Sequence, residues 1–323
     1  MNTSAKTGVR WTVQIILTVA VTYFLFRSLR LSWDEIATVN LGRWRPQPLP
    51  LVASVVVLLS VFAYLVVLWR RMVVALGGPP LKLGESFRIF FLANLGRYVP
   101  GKVWQLAGLA YLAGKRGVSV PVASSSAVLG QVFSLGAAAA LAAVVLISGT
   151  KVGYKGALAP WGAALLAVIA LVTVIPGSLR LLLRLLFRLS RKGTKAPALG
   201  RWFGVRWLGL YLPAWIGYGV AFGLLWSSFA ALPAVSWLGA VGGFAGAYFL
   251  GYAAIFAPAG VGVREGALAV LLAPWLGGGQ AAVLAVVARI WMTAVELLPV
   301  IAIAAAKAMG WTNGQMGTLD EES

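Results

Sequence analysis

The sequence predicts an all-α polytopic membrane protein of two inverted repeats, each with three spanning helices and a broken or re-entrant helical hairpin. The chain is 60% hydrophobic and only 11% charged, whereas soluble domains carry about 25% charged residues. Several segments of about 20 residues lack charge, which is the length that crosses ~30 Å of hydrocarbon. Two prolines, Pro100 and Pro258, interrupt this apolar chain in stretches of glycine and charge that lie 158 positions apart.

The first half of the chain contains three apolar segments and one interrupted segment. The predicted spans are residues 11–29, 49–69 and 121–148. We expect the first span to remain uncleaved, because its apolar run from Trp11 to Phe26 lacks a small-x-small site and ends at Arg27. The interrupted segment, residues 84–117, divides at Pro100 into arms of about 15 residues, which reach only ~23 Å as helices. A re-entrant hairpin is therefore expected there.

The second half repeats this order after a basic connector. Its predicted spans are residues 158–176, 207–229 and 280–306, and its hairpin arms are residues 237–257 and 260–276. In the connector, residues 177–206, Arg180, Arg184 and Arg188 recur every four residues and share one helical face. Leucines such as Leu181 and Leu185 cover the other face. We expect this basic amphipathic helix to lie in the headgroup layer.

The two halves are predicted to be repeats within a single integral membrane domain, residues 1–323. A shift of 158 positions places the second span on the fifth, one hairpin on the other, and the third span on the last. The first repeat covers residues 1–148. The fourth span and the connector occupy residues 149–206, the rest of the second repeat occupies 207–306, and a short tail occupies 307–323.

Charge placement predicts the orientation of these repeats. The chain has 27 Lys and Arg residues against 8 Asp and Glu, a net charge of +19. The basic residues cluster after the second span, around the first hairpin and in the connector, so these parts are expected in the cytoplasm. Counting spans from there places both termini in the cytoplasm and the two hairpins on opposite sides of the membrane. The repeats are therefore inverted.

Candidate binding residues surround the first break: Asn94, Arg97, Pro100, Gly101 and Lys102. A split helix offers amide N–H groups and a positive dipole end, which suit an anion. Arg97 can hold a phosphate through two parallel hydrogen bonds, and Lys102 adds a point charge. The alternative is that both basic side chains reach outward to the cytoplasmic headgroups.

The second break holds Pro258, Gly260 and Gly262, followed at once by Arg264 and Glu265. A carboxylate inside hydrocarbon needs a partner, water or a proton. A glycine-rich break can also expose backbone amides beside the charged pair. These residues are predicted to belong to a substrate or proton pathway. An internal ion-pair network that locks the hairpin to a span is the compatible alternative.

The last span carries Arg289 and Glu296, seven residues apart. Two helical turns bring them to nearly the same face, ~10.5 Å apart along the axis, so they form one polar stripe. Gln131, on the third span, meets Arg289 in the overlay of the two halves. A single polar residue on an apolar span usually bonds a neighbouring helix. Its place opposite Pro100 makes a pathway role the other interpretation.

The chain contains no cysteine and no histidine. Thiol chemistry, disulfides, most zinc sites and the usual general base are therefore absent. We find no residue arrangement for hydrolysis or group transfer, and expect no enzymatic activity, cofactor or metal. The basic residues flank apolar spans, which indicates topology signals and anionic lipid rather than nucleic acid.

Two sequence stretches resemble the signatures of the lysylphosphatidylglycerol synthase transmembrane-region family, also called flippase-like. Residues 94–104 (NLGRYVPGKVW) with 117–119 (GVS) resemble the first, and residues 257–268 (APAGVGVREGAL) resemble the second. The resemblance covers nearly the whole chain. It implies a protein of the cell (cytoplasmic) membrane that moves or handles lipids between leaflets. The chain stops after its last span and tail, so we expect a stand-alone member without the aminoacyltransferase domain. The family often has an acidic residue where Gln131 stands.

These observations predict a flippase or transporter for a phospholipid or a polyprenyl-phosphate-type lipid. Arg97, Lys102 and the hairpin amides would hold the phosphate, opposite a polar wall of Arg264, Glu265, Arg289 and Glu296. The expected partners are membrane lipids with anionic headgroups. Two alternatives are a secondary transporter of a small anion and a non-transporting scaffold for a lipid-modifying enzyme partner.

Overall fold

All regular secondary structure is helical in the residues that the computed structural model describes, which are 45–98, 103–147, 159–189, 196–230, 232, 236–254, 257 and 260–309. The predicted first span and residues 310–323 of the predicted tail lie outside these residues. The helices are α1 (Pro48–Ala75), α2 (Leu83–Asn94), α3 (Trp104–Gly114), α4 (Val120–Ile147), α5 (Ala159–Val172), α6 (Pro176–Leu189), α7 (Phe203–Phe229), α8 (Ser236–Ala253), α9 (Val263–Leu276) and α10 (Gly278–Ala308). A short 3-10 helix, Leu95–Tyr98, follows α2 directly.

Within this part of the chain, four helices are long and apolar enough to cross a membrane: α1, α4, α7 and α10. Their 27 to 31 residues extend about 40 to 46 Å, more than the ~30 Å hydrocarbon core. The four match predicted spans. The predicted fourth span, residues 158–176, corresponds to α5, whose 14 residues extend only about 21 Å. Together with the connector helix α6 it forms a pair bent by 63°, which would make a fifth span if it crosses as one. Pro176 begins α6, where its missing N–H is tolerated.

Helices α1 and α7 pack antiparallel and form the centre of the structure. At one end the Gln47 amide donates to the Ser228 carbonyl at 2.8 Å. Further along, the Tyr64 hydroxyl donates to the Leu210 carbonyl at 2.8 Å. The two contacts join the start of α1 to the end of α7 and a later part of α1 to an earlier part of α7, as expected for antiparallel helices. The end of α1 and the start of α7, which both carry arginines, therefore lie together at the opposite end of the pair.

The first hairpin, α2 and α3, is antiparallel and short. Glu85 at its open end lies 3.5 Å from Arg116, while at the break Gln105 Nε2 donates to Asn94 Oδ1 at 2.6 Å. Helices of 12 and 11 residues extend about 18 and 17 Å, which is less than the hydrocarbon thickness. The hairpin therefore has the dimensions of a re-entrant element. It begins beside the arginine-bearing end of α1.

The second hairpin, α8 and α9, is held together by close packing at glycines. A Cβ on Gly239 would lie 2.7 Å from the Trp275 ring, and one on Gly251 would lie 2.7 Å from the Arg264 Cβ. These contacts make the two helices antiparallel. Gly260 has φ +71° and sits against the Gly251 backbone, where a side chain would be both strained and obstructed. This hairpin begins six residues after α7, at the end of the pair opposite the first hairpin.

The connector helix α6 has three faces rather than the two predicted. Its arginines are exposed as expected, and so are Leu181 and Leu185. A third stripe, Leu179, Leu183 and Phe187, is buried in the core against α4 and α7. The periodicity of the sequence showed an amphipathic helix, but the neighbouring helices determined which apolar side chains are buried.

We expect Gly219→Ala to destabilise the fold, because a Cβ there would overlap the Val241 backbone where α7 crosses α8. Overpacking of this kind typically costs about 1–3 kcal/mol. The measurement is reversible unfolding in detergent followed by tryptophan fluorescence. Gly209→Ala is the matched control on the same helix, since a Cβ there meets nothing within 4 Å. Equal stability of the two variants would contradict the observed packing.

Candidate functional site

The two hairpins and α10 form a partly open cavity with charged walls, which we call the hairpin cavity. Its walls come from the first break, from the start of α3, from both arms of the second hairpin and from α10. Two tyrosines and four charged side chains line it. The lining residues are Arg97, Gln105, Tyr248, Gly251, Tyr252, Arg264, Arg289, Met292, Thr293 and Glu296. The cavity therefore joins residues that are up to 199 positions apart in the sequence.

An ion pair links the first hairpin to the last span. Arg97 Nη1 lies 2.7 Å from Glu296 Oε1, and the two side chains are 21% and 4% exposed. Both residues were predicted from the sequence, but on opposing walls of the site and without contact. The pair satisfies the requirement that a carboxylate inside hydrocarbon has a partner.

A second ion pair links the second hairpin to the same span. Glu265 Oε1 lies 3.7 Å from Arg289 Nε. The other carboxylate oxygen, Oε2, accepts a hydrogen bond from the Gly262 amide at 2.6 Å. Glu265 therefore has two roles: Oε2 caps the first turn of α9, and Oε1 neutralises Arg289. Gly262, which precedes the helix, has φ +81° and needs the conformational freedom of glycine.

Arg264 is the most deeply placed cation of the cavity, with only 6% of its surface exposed. Its guanidinium carbon lies 4.9 Å from the Phe244 ring centre and 5.0 Å from that of Tyr248. One N–H group donates to the Met292 sulfur at 3.0 Å. The described residues place no carboxylate within 4.0 Å of it. Ring faces and a thioether stabilise the cation more weakly than a carboxylate.

Among the described residues, the charges around the hairpin cavity do not balance. Arg97, Arg264, Arg289 and Glu296 line the cavity, and Glu265 pairs with Arg289 without lining it. These three guanidinium groups and two carboxylates carry one excess positive charge. An uncompensated buried charge is costly unless an anion or water accompanies it. The arrangement can accept an anionic group.

Asn94 and Gln105 shape the first break rather than bind a charged group. Asn94 is 2% exposed, and its carbonyl oxygen accepts the hydrogen bond from Gln105. Gln105 faces the cavity from the start of α3. Sequence reasoning missed Gln105, although its position just beyond the break was a usable signal. Tyr248 and Tyr252 were also missed, and nothing distinguishes them from other aromatic residues of an apolar helix.

Gln131 lines a second, neighbouring cavity of about 630 Å³. Most of its wall is aromatic or apolar, with Ser126 and Ser134 bonded to the indole N–H groups of Trp69 and Trp215. Arg97, Gln105 and Tyr248 line both cavities, so the two adjoin. Gln131 is therefore near the predicted pathway but does not line the hairpin cavity. Pro100, Gly101, Lys102 and Pro258 lie outside the described residues.

Together these features define a multi-pass helical membrane protein with a charged cavity between two hairpins. Comparison with family models gives a match over residues 11–299 to the lysylphosphatidylglycerol synthase TM region. The chain belongs to this family, as the two sequence signatures indicated. The comparison with curated proteins gave no match.

We expect Glu296→Gln to destabilise the protein by about 2 kcal/mol, because it removes the buried carboxylate charge that lies 2.7 Å from Arg97. Adding Arg97→Met should recover part of this loss, with a coupling energy of about 1–3 kcal/mol in a double-mutant cycle. Unfolding in detergent provides the free energies.

The control for this cycle is the exposed pair of Glu85 and Arg116, whose side chains are 31% and 37% exposed. Glu85→Gln should cost less than about 1 kcal/mol. Additive effects at Arg97 and Glu296 would show that the two groups do not interact in the folded protein.

Proposed function

We propose that this protein moves a phospholipid or a polyprenyl-phosphate-type lipid between the leaflets of the cell membrane. The observation that carries the proposal is the excess positive charge of the hairpin cavity, where Arg264 lacks a carboxylate neighbour among the described residues. A lipid phosphate supplies the missing negative charge. Arginine suits this role because its planar fork binds phosphate oxygens in pairs.

The outer surface beside the cavity suits the acyl chains of such a ligand. Leu250, between the cavity residues Tyr248 and Gly251, is 48% exposed, and Ile290, next to Arg289, is 64% exposed. These apolar side chains lie where the helix surfaces meet hydrocarbon. A headgroup held between the hairpins with its tails against this surface would remain a bilayer lipid throughout transport.

The packing of the helices supports the proposal that the halves are inverted repeats. The shift of 158 positions takes Ala93 and Gly108, which face each other across the first hairpin, to Gly251 and Gly266. In the second hairpin Gly251 lies against Arg264, two positions before Gly266. Helix contacts also pair: α3 packs on α4 as α9 packs on α10, and α2 contacts α10 as α8 contacts α4. The hairpins begin at opposite ends of the α1 and α7 pair.

Inverted repeats suggest how transport would proceed. In transporters of this kind, one repeat moves against the other around a site near the bilayer midplane. Here α10 holds one hairpin through Glu296 and the other through Arg289. A phosphate that binds the arginines would weaken both ion pairs and free the hairpins to move. We also propose that both termini lie in the cytoplasm, as the basic loops predict. The protein would transport its lipid without catalysing a reaction.

The test is leaflet exchange of fluorescent phosphatidylglycerol in liposomes that contain the purified protein. We expect exchange well above that of empty liposomes, and a rate at least about tenfold lower in Arg264→Gln, since a charge-assisted bond contributes about 1.5–3 kcal/mol. Arg184→Gln is the control, because it removes the same charge from the exposed face of α6.

Two outcomes would overturn the proposal. One is wild-type exchange no faster than that of empty liposomes. The other is an Arg264→Gln rate equal to that of the wild type and of the Arg184→Gln control. If the liposomes take up radiolabelled inorganic phosphate but exchange no lipid, the substrate is a small anion and not a lipid.

A further inference from the structure

A third cavity, separate from the hairpin cavity and from the cavity that Gln131 lines, lies between the end of α1 and the start of α7. It is open to its surroundings and is bordered by the segment that precedes α7. Four arginines line it: Arg70, Arg71, Arg201 and Arg206. No acidic residue lines it, and the described part of the chain gives none of the four an ion pair. We call it the basic cavity.

The basic cavity lies at the level of a membrane interface. Arg70 follows Pro48 by 22 residues on the continuous helix α1, a rise of about 33 Å. This is about one hydrocarbon thickness from the other end of the α1 and α7 pair. Two tryptophans, Trp202 and Trp207, line the cavity at the same level, as is typical of the headgroup region.

Apolar surface lies directly beside the arginines. Trp202 is 66% exposed and Val74 is 46% exposed, and both line the basic cavity. Arg201 lies over the Trp202 ring at 5.4 Å, which keeps its guanidinium at the rim. Arg70 is fixed by a hydrogen bond from its Nε to the Leu81 carbonyl. A ligand that fits must combine a strong negative charge with an apolar portion.

We propose that the basic cavity binds the phosphate headgroup of an anionic phospholipid, as a site distinct from the transport pathway. Several guanidinium groups without counter-charges attract a phosphodiester, and basic pockets between helices at an interface suit such headgroups. The acyl chains would lie against Trp202 and Val74. The basic cavity shares no lining residue with the hairpin cavity, so the two sites can be occupied independently.

The site is tested by native mass spectrometry of the full chain titrated with phosphatidylglycerol, with phosphatidylcholine in parallel. The test variant is Arg201→Gln with Arg206→Gln, two exposed side chains whose loss leaves the core intact. We expect it to bind one phosphatidylglycerol at least about tenfold more weakly than the wild type. Phosphatidylcholine should bind both proteins equally.

Two control variants make the result specific. Arg180→Gln with Arg184→Gln removes the same charge from the exposed face of α6 and should retain wild-type binding. Arg264→Gln alters the hairpin cavity only and should retain the lipid of the basic cavity, so failure of one site is distinguishable from failure of the other.

Three results would overturn the proposal. The first is equal loss of phosphatidylglycerol in the α6 control, which would mean that only net charge matters. The second is inorganic phosphate binding as tightly as the lipid. The third is a wild-type protein that binds an acidic peptide at this site but no phosphatidylglycerol. Thermal unfolding of each variant confirms that the compared proteins are folded.

Discussion

The structure depends on the cost of placing ions inside hydrocarbon. Helix α10 carries Arg289 and Glu296, and each meets a partner of opposite charge from a different hairpin. A buried ion without a partner is so unfavourable that these contacts fix where both hairpins lie against α10. Three members of these pairs, Arg97, Arg289 and Glu296, line the hairpin cavity. The requirement that buried ions be paired therefore determines both where the site lies and which charges it carries.

Close helix packing makes room for these groups. In lipid there is little hydrophobic force between helices, so association relies on van der Waals contact at small residues. Gly239, Gly242 and Gly251 bring α8 against α9 and α4, and Gly219 brings α7 against α8. The second hairpin is thereby held rigidly enough to keep Arg264 between two aromatic rings.

The arginines of the chain occupy two different environments. Around the hairpin cavity they are largely buried, mostly paired, and in the described part of the chain exceed the carboxylates by a single charge. Around the basic cavity they are grouped beside exposed aromatic surface, with no carboxylate among the described lining residues. The arginines of the hairpin cavity favour a ligand that competes with their ion pairs, so that ligand binding is coupled to movement of the hairpins. The arginines of the basic cavity favour retention of a charged lipid without rearrangement.

The sequence by itself determined the membrane class, four of the spans, the two breaks and the few deep charges, because apolar run length and scarce charge are local properties. Only the tertiary structure decided that Glu296 meets Arg97, that Arg264 lies between Phe244 and Tyr248, and that Gln131 faces the neighbouring cavity. Arg97 and Glu296 lie 199 positions apart, on segments that share no local pattern. Their contact follows from how α1, α7 and the hairpins pack, and helical periodicity does not encode the relative position of distant helices.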